Sequence, residues 1–176
     1  MKRDIIVWQV LGFAFVSVLG TILHFLYDWT GNTFAALFSA VNESTFEHMK
    51  LLFFPMLLFS IIESFFFGSE YENFWCVKLE GTLQGLLLIP VLFYTLTGIF
   101  GTTPDIVNIS VFFVSAALAS VYETRLFKKG SAPCKKRLSV VIFAAIAVIF
   151  GILTFFPPEI PLFRDPISGS YGLCPS

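Results

Sequence analysis

Residues 138–156 read LSVVIFAAIAVIFGILTFF, an uncharged run that follows Lys135-Lys136-Arg137 and stops at Pro157-Pro158. A helix rises about 1.5 Å per residue, so about 20 apolar residues cover the roughly 30 Å hydrocarbon core of a bilayer. A basic flank, an unbroken apolar run and a proline stop are the sequence marks of a membrane span. Toward the N-terminus, four more stretches share this character: 5–27, 49–67, 79–100 and 106–127. The second contains Pro55 and the third Pro90. A lone strand in lipid would leave its backbone unpaired, so all five read as helices. The expected fold is an all-α, polytopic five-span bundle forming a single domain over 1–176. Residues 157–176 form a tail whose Ile160, Leu162, Phe163, Ile167, Tyr171 and Leu173 suit packing back onto the bundle.

Composition agrees. Of 176 residues, 56% are apolar and 13% charged, 23 are phenylalanine, and mean hydropathy is +0.83. Soluble domains carry about 25% charged residues, and a chain this short cannot hide so much apolar surface from water. These figures exclude a soluble enzyme, a nucleic-acid binder and a disordered protein. The first stretch follows Met1-Lys2-Arg3 but is longer than a signal-peptide core and lacks a small-residue cleavage site, so it reads as a span. The chain shows no internal repeat, and so no inverted-repeat transporter built from two halves.

Orientation follows from the basic residues near the span ends. With the N-terminus inside the cell, the inner side holds Lys2, Arg3, Lys78, Arg125, Lys128, Lys129, Lys135, Lys136 and Arg137, and the outer side only Lys50 and Arg164. Cys76 and Cys134 then fall inside and Cys174 outside, so no disulfide within the chain is expected.

Ionisable groups at membrane depth are costly and are functional candidates. Toward the outer side lie His24 and the segment Asn42-Glu43-Ser44-Thr45-Phe46-Glu47-His48, with Asp28 and Asp165 as further oxygen donors. Imidazole and carboxylate together suit a divalent transition metal or a proton-transfer pair. His24, Glu43, Glu47 and His48 are the candidate catalytic and metal-ligating residues; Asn42 and Asp165 are candidate binding residues. A plainer reading competes for two of the positions: Ser44-x-x-Glu47 is a capping box that starts the second span. Toward the inner side, Glu63, Glu80 and Glu123 each lie near the end of a span, with Gln84 one turn beyond Glu80. Three such faces at similar depth suggest a shared polar cavity open to the cytoplasm, and glutamates near helix ends can also simply reach the headgroups. Gly81-x-x-x-Gly85, Ala116 and Ala119 mark close helix contacts.

Two segments, LFSAVNESTFEHMKL (37–51) and PLFRDPISGSYG (161–172), carry a resemblance to a family of small bacterial integral membrane proteins of unknown function. The resemblance extends over nearly the whole chain. It implies five spans, a prokaryotic cell membrane, and that the two segments belong to one unit. It implies no activity.

Three functions fit these features. A transporter or conduction pathway would use the intramembrane carboxylates, Glu63 foremost. A membrane enzyme would use the outward His/Glu group, with or without a divalent metal, on a lipid or lipid-linked substrate. A homo-oligomer or a subunit of a larger membrane complex would leave the chemistry to partners.

Overall fold

A computed structural model describes residues 5–101, 104–130 and 135–173. Lys2, Arg3, Cys134 and Cys174 lie outside these residues. The described chain is all-helical: α1 (Ile5–Thr30), the single turn α2 (Thr33–Ala36), α3 (Thr45–Phe67), α4 (Phe74–Phe100), α5 (Asp105–Lys129) and α6 (Lys136–Phe155). A 3-10 turn at Pro161–Phe163 follows. Five of the helices are long and apolar enough to cross a membrane. The spans extend beyond the apolar stretches read from sequence; α4 begins at Phe74 rather than 79, which brings Lys78 inside the helix.

Packing centres on α3, which touches α1, α4, α5 and α6. Its Leu52, Phe53 and Met56 are buried among Val16 of α1, Leu86 of α4, Ala116 of α5 and Phe150 of α6. Aromatic rings supply much of the fit, as where Phe53 meets Phe150 at 5.1 Å between centroids. Large side chains such as Val10, Phe65, Leu87 and Val148 face outward, as lipid-facing surfaces require.

Small residues set the helix spacing. A Cβ on Gly81 would overlap the Glu123 side chain, and one on Gly85 would lie 2.7 Å from Leu52 Cδ2. At Gly20 a Cβ would sit 2.9 Å from the carbonyl oxygen of Leu51 and would also overlap the Phe112 ring. Pro55 has no N–H to offer the Leu51 carbonyl four residues back, so α3 presents that group to α1, which reaches it because residue 20 lacks a side chain. Both proline-containing helices continue through their prolines.

The two segments flanking the bundle at one end meet each other. Asn42 Nδ2 donates to the Gly172 carbonyl at 2.8 Å, and the Phe46 and Phe163 rings lie 4.3 Å apart. Cys76 is disulfide-bonded, contrary to the expectation of none.

The glycine contacts give a test. Gly20→Ala should lower stability by about 1–3 kcal/mol through overpacking. Gly98→Ala has open space around it and should be neutral or stabilising by up to about 1 kcal/mol. Unfolding in detergent, followed by circular dichroism, compares the two.

Candidate functional site

Among the described residues three charged clusters occupy the bundle, grouped differently from the expected inner and outer sets. The first centres on Lys50, in the second turn of α3. Its ammonium group is 0% exposed and lies 2.6 Å from Glu47 Oε2. It also donates to the Ala36 carbonyl at 2.9 Å and to Thr154 Oγ1 at 2.8 Å. All three donors of the ammonium are used. Glu47 Oε2 additionally accepts the Val41 N–H at 3.1 Å. Glu47, expected among the candidate ligands, therefore turns away from the histidines and into the core. The capping box is half realised: Ser44 Oγ accepts the Glu47 N–H, while Ser44's own N–H goes to Asn42 Oδ1. Asn42 and Asp165 are likewise committed, Asn42 to the Ser44 N–H and to the Gly172 carbonyl. Asp165 accepts from the Ile167 N–H and from the Ser168 backbone and hydroxyl, which closes a turn of the tail. Asp28 is exposed.

The second cluster lies toward the opposite end of the bundle. Lys78 of α4 pairs with Glu63 of α3, at 2.7 Å, and with Glu123 of α5. All three residues are buried, and the ammonium stands 5.9 Å over the Phe59 ring. Glu63 and Glu123 thus converge as their helical faces suggested, but onto a lysine and not around an open cavity. Glu80 is exposed. Two residues beyond Lys78, it lies on the far side of α4. Gln84 is half-buried, and its Oε1 makes no hydrogen bond. Lys50 and Lys78 were missed as partners because both were counted as span-end cations. The i,i+3 spacing of Glu47 and Lys50 was the signal for the first; the second has no local signal, because its partners are 15 and 45 residues away.

The third cluster is His24 of α1, Glu43 of the segment before α3, and His48 of the first turn of α3. Each offers one ligand atom, and these atoms all lie within 4.8 Å of one another. His24 Nε2 is 3.7 Å from Glu43 Oε1, and His48 Nε2 is 3.6 Å from Glu43 Oε2. The imidazole rings are 5.4 Å apart. These separations exceed hydrogen-bonding distance. They approach the roughly 3.4 Å between neighbouring ligand atoms when bonds of about 2.1 Å surround a tetrahedral metal. His48 Nδ1 lies 2.9 Å from the Ser44 carbonyl oxygen. That oxygen can only accept, so Nδ1 carries the proton; in the neutral ring this leaves the Nε2 lone pair on the side of Glu43. A backbone carbonyl holding the outer nitrogen is the usual support of a metal-binding histidine.

The cluster faces a cavity of about 330 Å³, walled by Ile89 and Phe93 of α4 and by Ile109 and Phe112 of α5. Thr45 and Asn108 add polar groups, and Pro166 and Ile167 of the tail complete the rim. His24 and His48 also border a smaller apolar cavity of about 150 Å³ beside Gly20 and Leu51. Polar donors at one point and apolar walls elsewhere are the ordinary make-up of a small-molecule site.

Compared with known families, residues 2–173 match the model of a family of unknown function. The chain belongs to the DUF6512 family, a family of unknown function. The match spans nearly the whole chain, as the resemblance carried by segments 37–51 and 161–172 implied. No curated protein and no solved structure matches the chain.

The division between locked and open clusters is testable. Lys78→Met would strand two buried carboxylates and should destabilise the protein by about 3–5 kcal/mol. Glu80→Gln, on the exposed face, should stay within about 0.5 kcal/mol. Thermal unfolding of both variants in the same detergent reads the difference.

Proposed function

We propose that this protein is a membrane enzyme that uses a divalent transition metal held by His24, Glu43 and His48 on a lipid or lipid-linked substrate. The convergence of those three ligand atoms within 4.8 Å carries the reading. Two imidazoles and one carboxylate form a three-ligand set that leaves a coordination position open, the arrangement of catalytic rather than structural zinc sites. The metal would polarise a carbonyl or phosphoryl oxygen, or lower the pKa of a bound water. The adjoining cavity supports a substrate with a polar group at the metal and an apolar remainder, since its walls are largely aliphatic and aromatic. The second cavity on the other side of the histidines offers space for a further apolar portion.

A carboxylate-lined conduction pathway has less support. Glu63 and Glu123 share the ammonium of Lys78, and Glu80 lies apart from them. In orientation, the histidine end belongs to the outer face of a cell membrane. The basic-residue bias supports this even without the two buried lysines, since eight cations against one remain.

The proposal makes a direct prediction. Untagged protein purified in detergent and stripped with chelator should bind one zinc or manganese per chain. Metal at about 100 times its dissociation constant should stabilise the wild type by about 2.7 kcal/mol. His24→Ala and His48→Ala should lose this stabilisation, whereas Glu47→Gln should retain it despite a lower starting stability. Incubation of the loaded protein with a membrane lipid extract should yield a product by lipid mass spectrometry that His48→Ala does not form. A wild type whose unfolding is unmoved by zinc, manganese and cobalt would remove the basis of the reading.

A further inference from the structure

A second lipid-facing feature lies away from the histidines. A groove of about 470 Å³ runs between α1 and α5, near the end of the bundle that holds the Lys78 cluster. Its walls are Ile6, Val10 and Phe13 from α1 and Val121 from α5. These positions recur at helical spacing, so the groove follows both helices. At its mouth stand Arg125 and Lys128, one turn apart, both exposed and neither in an ion pair with any described residue. Among the described residues no acidic side chain lines the groove. Buried Gln9 forms its back and separates it from Glu123. From Arg125 to Ala117 the groove follows roughly 12 Å of helix, most of one half of a roughly 30 Å hydrocarbon core.

We infer that this groove binds one anionic phospholipid, with its headgroup phosphate between Arg125 and Lys128 and an acyl chain along Val10, Phe13 and Val121. The charge pattern argues for the occupant. Two cations with no ion-pair partner among the described residues, at the opening of an apolar cleft between helices, make an anionic headgroup site. Guanidinium offers the phosphate a two-pronged contact and the lysine adds a point charge. The location of Lys128 in the last turn of α5 also complements the helix dipole. Lys129 shares that advantage, yet it does not line the groove. The two residues therefore separate a site from a general attraction.

The test uses delipidated full-length protein in detergent, titrated with phosphatidylglycerol or phosphatidylcholine of identical chains and read by native mass spectrometry. One phosphatidylglycerol should bind saturably and more tightly than phosphatidylcholine. The double substitution Arg125→Gln/Lys128→Gln should weaken it roughly thirty-fold, from about 1 kcal/mol per cation. Val121→Trp, which fills the groove without altering charge, should weaken it as well, and Val10→Trp provides the same test from the opposite wall. Lys129→Gln should leave binding unchanged. Equal affinity for the two lipids would overturn the inference. So would a loss in Lys129→Gln equal to that of either single groove substitution, or full binding by both folded tryptophan variants.

Discussion

The ammonium of Lys50, sealed in the interior of the bundle, is the contact on which the histidine end depends. Taking a lysine and a glutamate out of water is expensive, and only complete pairing offsets it. Here the offset is complete: Glu47, the Ala36 carbonyl and the Thr154 hydroxyl each take one donor. Those partners belong to α3, to the turn α2 and to α6. One cation therefore fixes where the chain between α2 and α3 runs, and Glu43 rides on that chain. The carboxylate that faces the histidines is placed by a different carboxylate that faces the lysine.

Lys78 performs a similar task with Glu63 and Glu123 toward the opposite end, joining α3, α4 and α5. In both lysine clusters the charges are buried and meet one another at short range. The His24, Glu43 and His48 group differs in kind. Its members hold one another at 3.6–3.7 Å, too far for hydrogen bonds, and they border a cavity. The lysine clusters are held by their own ion pairs, whereas this group is the one whose spacing the metal-site proposal rests on.

Helical spans were legible from apolar length alone, because a bilayer demands an unbroken hydrocarbon face and tolerates few charges. Residues 138–156 and α6 (Lys136–Phe155) differ by no more than two residues at either end. The start of α4 was not legible: Lys78 looked like a boundary because its neutralising partners sit on other helices, and sequence spacing cannot report a contact between helices. The same reason explains the candidate site. The structure brings His24 together with Glu43 and His48, which are close in sequence to each other, while the Glu47 side chain pairs with Lys50 one turn along. Asp165 looked available, although Asp-Pro followed by Ser-Gly in PLFRDPISGSYG favours a turn of the kind its carboxylate closes.

Gly20 gives the site a dependence that lies outside its chemistry. His24 is one turn beyond it on α1, and His48 is one turn before Leu51, whose carbonyl α1 approaches. The gap between the two imidazoles is thus inherited from a helix separation that leaves no room for a Cβ at residue 20. In the proposed metal site, ligand spacing would be a matter of steric volume at a residue outside the ligand set. Tuning the pocket toward larger or smaller ions would proceed by resizing a helix seam, with every donor atom left as it is.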